Sequence, residues 1–190
     1  NTFKMIGEEY IEKSAREGRS AVTLSKTRWL LSLMESDLGN RPITEITPAE
    51  LLETLQKVEA KGHLETARRM RSLAGRIFRY AVATSRASAD PSALLRGALV
   101  APKVKHHSPI LELKAVGELL RAIDGYSGQP LTCLALKLTP HVFVRPGELR
   151  RAEWKEFDLE NAVWTIPAEK MKMRDPHLVP LSRQSVSLLE

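Results

Sequence analysis

Along the first hundred positions, apolar residues return at the three-to-four-residue interval of helices. One run, roughly Val22 to Leu38, places Trp29, Leu30, Leu33 and Met34 inward, and Gly39-Asn40-Arg41-Pro42 ends it. A second opens at Thr47-Pro48-Ala49-Glu50. Thr47 suits an N-cap, Pro48 suits the first helical position, and Glu50 can close a capping box. Leu51, Leu52, Leu55 and Val58 form its buried face, and Gly62 stops it. A third runs from His63 to about Thr84, with Ala67, Met70, Ala74, Ile77, Phe78 and Ala81 as a core-facing stripe. Asp90-Pro91-Ser92-Ala93-Leu94-Leu95 begins a short helix closed near Gly97.

Periodicity then lapses. Ala101 to Pro109 holds two prolines and several basic residues and reads as an interdomain linker. His106 and His107 lack further partners at metal-ligand spacing and read as linker residues. Beyond it the pattern predicts helices over roughly Glu112–Asp124, Pro130–Thr139 and Pro146–Trp154. Residues 157–166 resemble two short strands around a Glu160-Asn161 turn, and His177–Leu181 a third strand. Ser182 then caps a last helix from Arg183. The fold class expected is mainly α with a small β-sheet: a helical domain followed by an α+β domain, which the resemblance given below implies is incomplete.

Composition narrows this only slightly. The chain has 190 residues, enough for one large domain or two small ones, and its hydrophobic fraction of 43% is that of a globular protein. No apolar run approaches the ~20 residues of a membrane span. The single cysteine, Cys133, precludes an internal disulfide; its neighbours Leu131, Leu134 and Ala135 predict a buried packing residue. Charge is more informative. Residues 1–105 carry 18 Lys and Arg against 12 Asp and Glu, whereas residues 106–190 carry 11 of each. The whole excess of +6 therefore sits in the first half, which suits a polyanion partner. Much of it stands on the third helix. Arg68, Arg76 and Arg79 oppose its apolar stripe, Arg69 and Arg71 flank it, and Glu65 is its lone acid. Such a helix can lie against DNA phosphates or in the major groove, or simply carry a solvated basic face.

The second half holds the candidate chemistry. In Arg145-Pro146-Gly147-Glu148-Leu149, the proline fits a first helical turn, so Arg145 stands at the helix mouth. A guanidinium there can grip two phosphate oxygens in a fork. Glu148 can turn back to cap the helix or orient Arg145. Lys172 falls in Met171-Lys172-Met173-Arg174, between two predicted strands, where a lysine can reach into a groove and give up a proton. Each pattern alone also suits a surface arginine and a basic exposed turn.

Together these residues resemble the tyrosine recombinases, in the branch of prophage integrases. Thr66-Ala67-Arg68-Arg69, Phe78-Arg79-Tyr80-Ala81, Trp154-Lys155-Glu156-Phe157-Asp158-Leu159 and His177-Leu178-Val179-Pro180-Leu181-Ser182 match that branch, and the likeness covers residues 2–190. It implies a core-binding domain over 1–104, a linker over 105–109 and the first part of a catalytic domain over 110–190. Two such domains clamp double-stranded DNA at an attachment-site core. By the resemblance Arg145 stabilises the phosphorane-like transition state, Lys172 protonates the departing 5′ oxygen (Lys170 is the second choice), and Glu148 supports them. Arg68, Arg69, Arg76 and Arg79 would bind DNA. The resemblance implies no metal and no cofactor, a homotetramer on DNA, room for accessory DNA-bending proteins, no membrane, and work at the nucleoid in a bacterial cytoplasm.

The sequence departs from that family's pattern downstream. No histidine here has an arginine three positions later, and Tyr10, Tyr80 and Tyr126 do not stand where the nucleophile belongs. The expectation is the middle of a longer protein: a chain that binds DNA without cutting it, from a parent that recombines DNA through a 3′-phosphotyrosine. A second reading is a non-catalytic DNA-binding module or remnant that competes with intact integrase. A third is a helical protein-interaction domain.

Overall fold

The computed structural model describes residues 1–103 and 108–190. The linker histidines His106 and His107 lie outside the described residues. The chain divides into two compact units, Asn1–His106 and His107–Glu190.

The first unit is a packed set of four helices, α1 (Phe3–Arg16), α2 (Ala21–Met34), α3 (Pro48–Glu59) and α4 (Leu64–Ala83). Their starts are set locally. Thr2, Ser20 and Thr47 each accept a hydrogen bond from a backbone N–H of the first turn, and Glu50 completes the capping box by accepting from the Thr47 N–H at 2.9 Å. Gly62, at φ +82, supplies the left-handed residue that turns the chain from α3 into α4. The whole predicted stripe of α4 is buried, joined by Leu73, against Phe3, Ile6, Leu31, Met34, Leu51 and Leu55. Phe3 and Phe78 meet at 5.6 Å between ring centres. Gly75 is a close-approach glycine. A Cβ there would stand 2.5 Å from Ser92 Oγ, so only a bare backbone lets the 3-10 turn Pro91–Leu95 settle on α4.

Two expectations for α2 need correction. The α-helix ends at Met34 and continues as a π turn over Glu35–Gly39. Trp29 faces outward, about half exposed, and Leu33 is only half-buried. The buried stripe is Leu30, Leu31, Met34 and Leu38, and at 100° per residue that stripe turns Trp29 away from the core.

The second unit contains α5 (Leu113–Asp124), α6 (Pro130–Val142), the one-turn α7 (Pro146–Leu149), strands β1 (Phe157–Asp158), β2 (Val163–Ile166) and β3 (His177–Pro180), and α8 (Arg183–Leu189). The sheet is antiparallel in the order β1-β2-β3, with Trp164 opposite Val179 and Ile166 opposite His177. Alternation along β2 sends Trp164 and Ile166 to a small core with Leu138, Val142, Val179 and Leu181. α6 passes Pro140 and ends at Phe143, which takes a left-handed conformation (φ 49). The helix expected over Pro146–Trp154 is broken: α7 stops at Leu149, and a separate 3-10 turn covers Trp154–Glu156. Cys133 is half-buried rather than buried; its thiol faces the Tyr126 carbonyl, and neighbouring Leu131 is exposed. No helix among the described residues is long and apolar enough to cross a membrane.

Candidate functional site

Two groups of side chains stand out, one in each unit. In the first, α4 presents its arginines outward while its other face is in the core. Their charge is less free than the sequence suggests. Arg69 pairs with Glu65 at 2.8 Å, and Arg79 pairs at 2.8 Å with Asp90. Asp90 also accepts hydrogen bonds from the Ser92 N–H and hydroxyl, so Arg79 is bound into the cap of the 3-10 turn. Among the described residues, Arg68, Arg71 and Arg76 have no carboxylate within ion-pair distance.

Arg69, Ser72 and Arg76 line one wall of a groove of about 270 Å³; Thr23, Lys26 and Thr27 of α2 line the other. Three cations and three hydroxyls facing one shallow groove match the donors that phosphate oxygens accept from. The α2 side of this face was not expected from the sequence. The available signal was the stretch Gly18–Met34, which contains Arg19, Lys26 and Arg28 and no acid.

In the second unit Arg145 is the residue before α7. Glu148 does what its spacing allows: one carboxylate oxygen accepts from the Arg145 backbone N–H at 2.9 Å, the other from Arg145 Nη1 at 2.7 Å. The glutamate is buried while the arginine side chain remains 67% exposed. Its carboxyl is held below the usual range by the Arg145 backbone N–H, opposed by burial, and then by the guanidinium. A smaller contribution in the same direction comes from His177, the first residue of β3. The guanidinium is thus steered from one edge and open on the other. A four-residue helix has only a small dipole, so the attraction for an anion rests on the arginine charge rather than on the helix end.

Lys172 sits in the exposed turn between the 3-10 turn Ala168–Lys170 and β3. Among the described residues no hydrogen bond or ion pair joins it to Arg145 or Glu148. Lys170 is different. It is largely buried and bonded to Glu153, Glu156 and the Arg151 carbonyl. Of the tyrosines, Tyr10 and Tyr80 pack against each other at 5.9 Å in the first unit, and Tyr126 follows α5. No group of three or more metal-ligating side chains occurs among the described residues.

Comparison with known proteins agrees with this layout. Residues 3–98 match the phage integrase central domain. The chain is 42% identical to the protein IntB of Escherichia coli (strain K12), over 80% of this chain and 41% of IntB. It is 34% identical to the integrase of Enterobacteria phage P4, over 99% of this chain and 45% of that protein. It therefore spans less than half the length of these curated relatives. Its fold is that of lambda integrase, solved as a tetramer bound to a Holliday junction: TM-score 0.72 at 20% identity, covering 95% of this chain and 51% of that one. With the central-domain match over half its length, and a helical unit followed by an arginine turn and a three-stranded sheet, the chain belongs to the phage integrase family of tyrosine recombinases.

Proposed function

We propose that this chain is the DNA-gripping and phosphate-activating part of a site-specific tyrosine recombinase that integrates and excises a prophage. The observation that carries the reading is Arg145, oriented by a buried Glu148 yet open to solvent on its far edge. On that edge the guanidinium can donate to two oxygens of the scissile phosphodiester and offset the charge that builds as the phosphorus becomes five-coordinate. A tyrosine elsewhere in the longer protein attacks the phosphorus, and the 5′ oxygen leaves with a proton from Lys172. The phosphotyrosine bond conserves the energy for rejoining, so the reaction needs no nucleotide cofactor. Residues 1–104 act as the core-binding domain, 105–109 as the linker and 110–190 as the incomplete catalytic domain. Arg69 and Arg76, with Lys26 across the groove, and Arg68 outside the groove on α4 meet phosphates of the attachment-site core. Arg69 and Arg79 contribute less, because Glu65 and Asp90 already hold them. The parent acts as four copies on two duplexes in the bacterial cytoplasm, with accessory DNA-bending proteins. This chain alone binds DNA without forming a covalent link.

A salt titration by fluorescence anisotropy tests the reading, with the native chain beside one carrying Arg68→Gln and Arg76→Gln. Two lost phosphate contacts should flatten the log-log salt dependence by about 2. An unchanged slope, or no binding at low salt, overturns the DNA face. A covalent protein–DNA adduct on a denaturing gel overturns the claim that this chain lacks a nucleophile.

A further inference from the structure

Lys170 is a saturated ammonium. Its three N–H donors meet three acceptors: the Arg151 carbonyl at 2.8 Å, the Glu153 carboxylate at 2.6 Å and the Glu156 carboxylate. Glu156 is buried, and its second oxygen accepts from the Trp164 indole N–H at 3.0 Å. Trp164 belongs to β2, the strand that leads into the loop carrying Lys172. These bonds close a circuit. The chain just after α7, the 3-10 turn Trp154–Glu156, strand β2 and the 3-10 turn Ala168–Lys170 are all joined through one ammonium and one buried carboxylate.

Both ends of the proposed chemistry hang from that circuit. Arg145 connects to it through backbone bonds that continue past α7, from Arg150 to Pro146 and from Arg151 to Glu148. Lys172 lies two residues beyond Lys170, so its Cα stays within about 7 Å of the anchored Lys170 backbone. Fixing Lys170 therefore fixes the root from which Lys172 reaches.

We propose that Lys170 is a positioning residue: its clamp on Arg151, Glu153 and Glu156 ties the base of the Lys172 loop to the segment that carries Arg145. The proposal rests on the reading of Lys172 as the proton donor, and it removes Lys170 from that role. A donor must release its proton to a leaving oxygen. Lys170 has every N–H engaged, two of them by carboxylates that raise its pKa further above the lysine range. Lys172 is free to move toward a bound strand while its anchor stays in place. The sequence offered the two lysines as alternatives; the clamp gives them separate tasks.

The test is a distance measured between two nitroxide labels in this chain, at Gly147→Cys, where the added side chain has open space, and at Lys172→Cys, in a Cys133→Ala background. With Lys170 intact, pulsed electron paramagnetic resonance should give one narrow distance. Lys170→Met should broaden the distribution at least about twofold, because the loop torsions are no longer constrained. Lys170→Arg, which retains charge and donors, should restore most of the narrowness. A distribution as narrow in Lys170→Met as in the parent, even with a lower melting temperature, overturns the clamp. Should Lys170→Met fail to fold, Glu153→Gln decides, since it weakens one of the three bonds and leaves Glu156. Broadening then supports the clamp, and unchanged width overturns it. The distance does not depend on which lysine gives up the proton. A longer integrase carrying this segment that still cleaves with Lys172→Ala would overturn the donor reading and leave the clamp standing.

Discussion

In the first unit the arginines proposed to meet phosphates stand on a twenty-residue helix whose opposite face is fully buried among Phe3, Leu31, Leu51 and Leu55. In the second, Arg145 stands on a single helical turn and Lys172 on a loop, above a core of six buried residues. The binding face is held by apolar packing. The polar residues of the second unit are held by carboxylates: Glu148 on Arg145, and Glu153 and Glu156 on Lys170, two positions before Lys172. Packing gives a rigid surface that tolerates many exposed side chains, as an electrostatic DNA contact requires. Hydrogen bonds to carboxylates, buried at Glu148 and Glu156 and exposed at Glu153, give direction, which a phosphate fork and a proton donor need more than bulk stability.

The comparison breaks most visibly where packing is removed. Phe78→Ala empties a site in contact with Phe3 and should destabilise the first unit by about 3–5 kcal/mol. Urea denaturation followed by circular dichroism measures it, and a loss below about 1 kcal/mol would mean that the unit does not depend on that core. In the second unit Trp164→Phe keeps most of the ring but removes the N–H that Glu156 accepts from. The loss should be roughly 1–3 kcal/mol, most of it from a buried acceptor left short of a donor. A neutral outcome would mean that the circuit under the Lys172 loop tolerates a missing bond.

The same contrast explains what was legible in the sequence. Helices α3 and α4, the Thr47–Glu50 capping box and the buried stripe of α4 follow from periodicity and local caps, so they could be read directly, whereas α1 was not placed from the sequence. Trp29 was misplaced because two overlapping stripes on α2 are both helical, and only contact with α1 and α4 chooses Leu30 and Leu31 over it. The α2 side of the basic groove was not legible because Thr23, Lys26 and Thr27 meet Arg69, Ser72 and Arg76 only when the two helices pack. In the second unit Glu148 was readable as a three-residue partner of Arg145. The Lys170 clamp was not, because Arg151, Glu153, Glu156 and Trp164 come together only through the fold of the sheet. The Arg79–Asp90 pairing, which spans eleven positions, was hidden for a like reason, whereas Glu65 and Arg69 stand four apart on one helix face and their pairing follows from that spacing.

A smaller effect of opposite sign should appear at Phe143. This residue combines a left-handed backbone with a side chain that is 97% exposed, so it adds strain and little burial. Phe143→Gly should relieve about 1 kcal/mol of backbone strain and raise the melting temperature of the second unit slightly. A drop in melting temperature would show that the aromatic ring contributes packing in solution.

The smallest effect expected is one of pH, and it distinguishes the two modes of support most directly. The Glu153 carboxyl is pulled down to about 2 by hydrogen bonds from Lys155 and Lys170. Burial pushes Glu156 up, but bonds from Lys170 and Trp164 outweigh it and leave it below the usual range. A carboxyl with a lowered folded-state pKa stabilises the fold fully above its unfolded value, near 4.5 for Glu153, and that contribution is lost as the pH falls toward about 2. The buried core around α4 contains no carboxylate, and the lowered carboxyls of the first unit, Glu50 and Glu65 among them, lie at its surface, so α4 should respond less over the same range. Amide hydrogen exchange, corrected for the intrinsic pH dependence, should therefore accelerate in residues 167–176 between pH 4.5 and pH 3 while α4 remains protected. Glu153→Gln should remove part of that acceleration. Equal loosening of α4 and the loop would mean that acid acts on the whole chain, and the carboxylates around Lys170 would then not be the local support of the Lys172 loop.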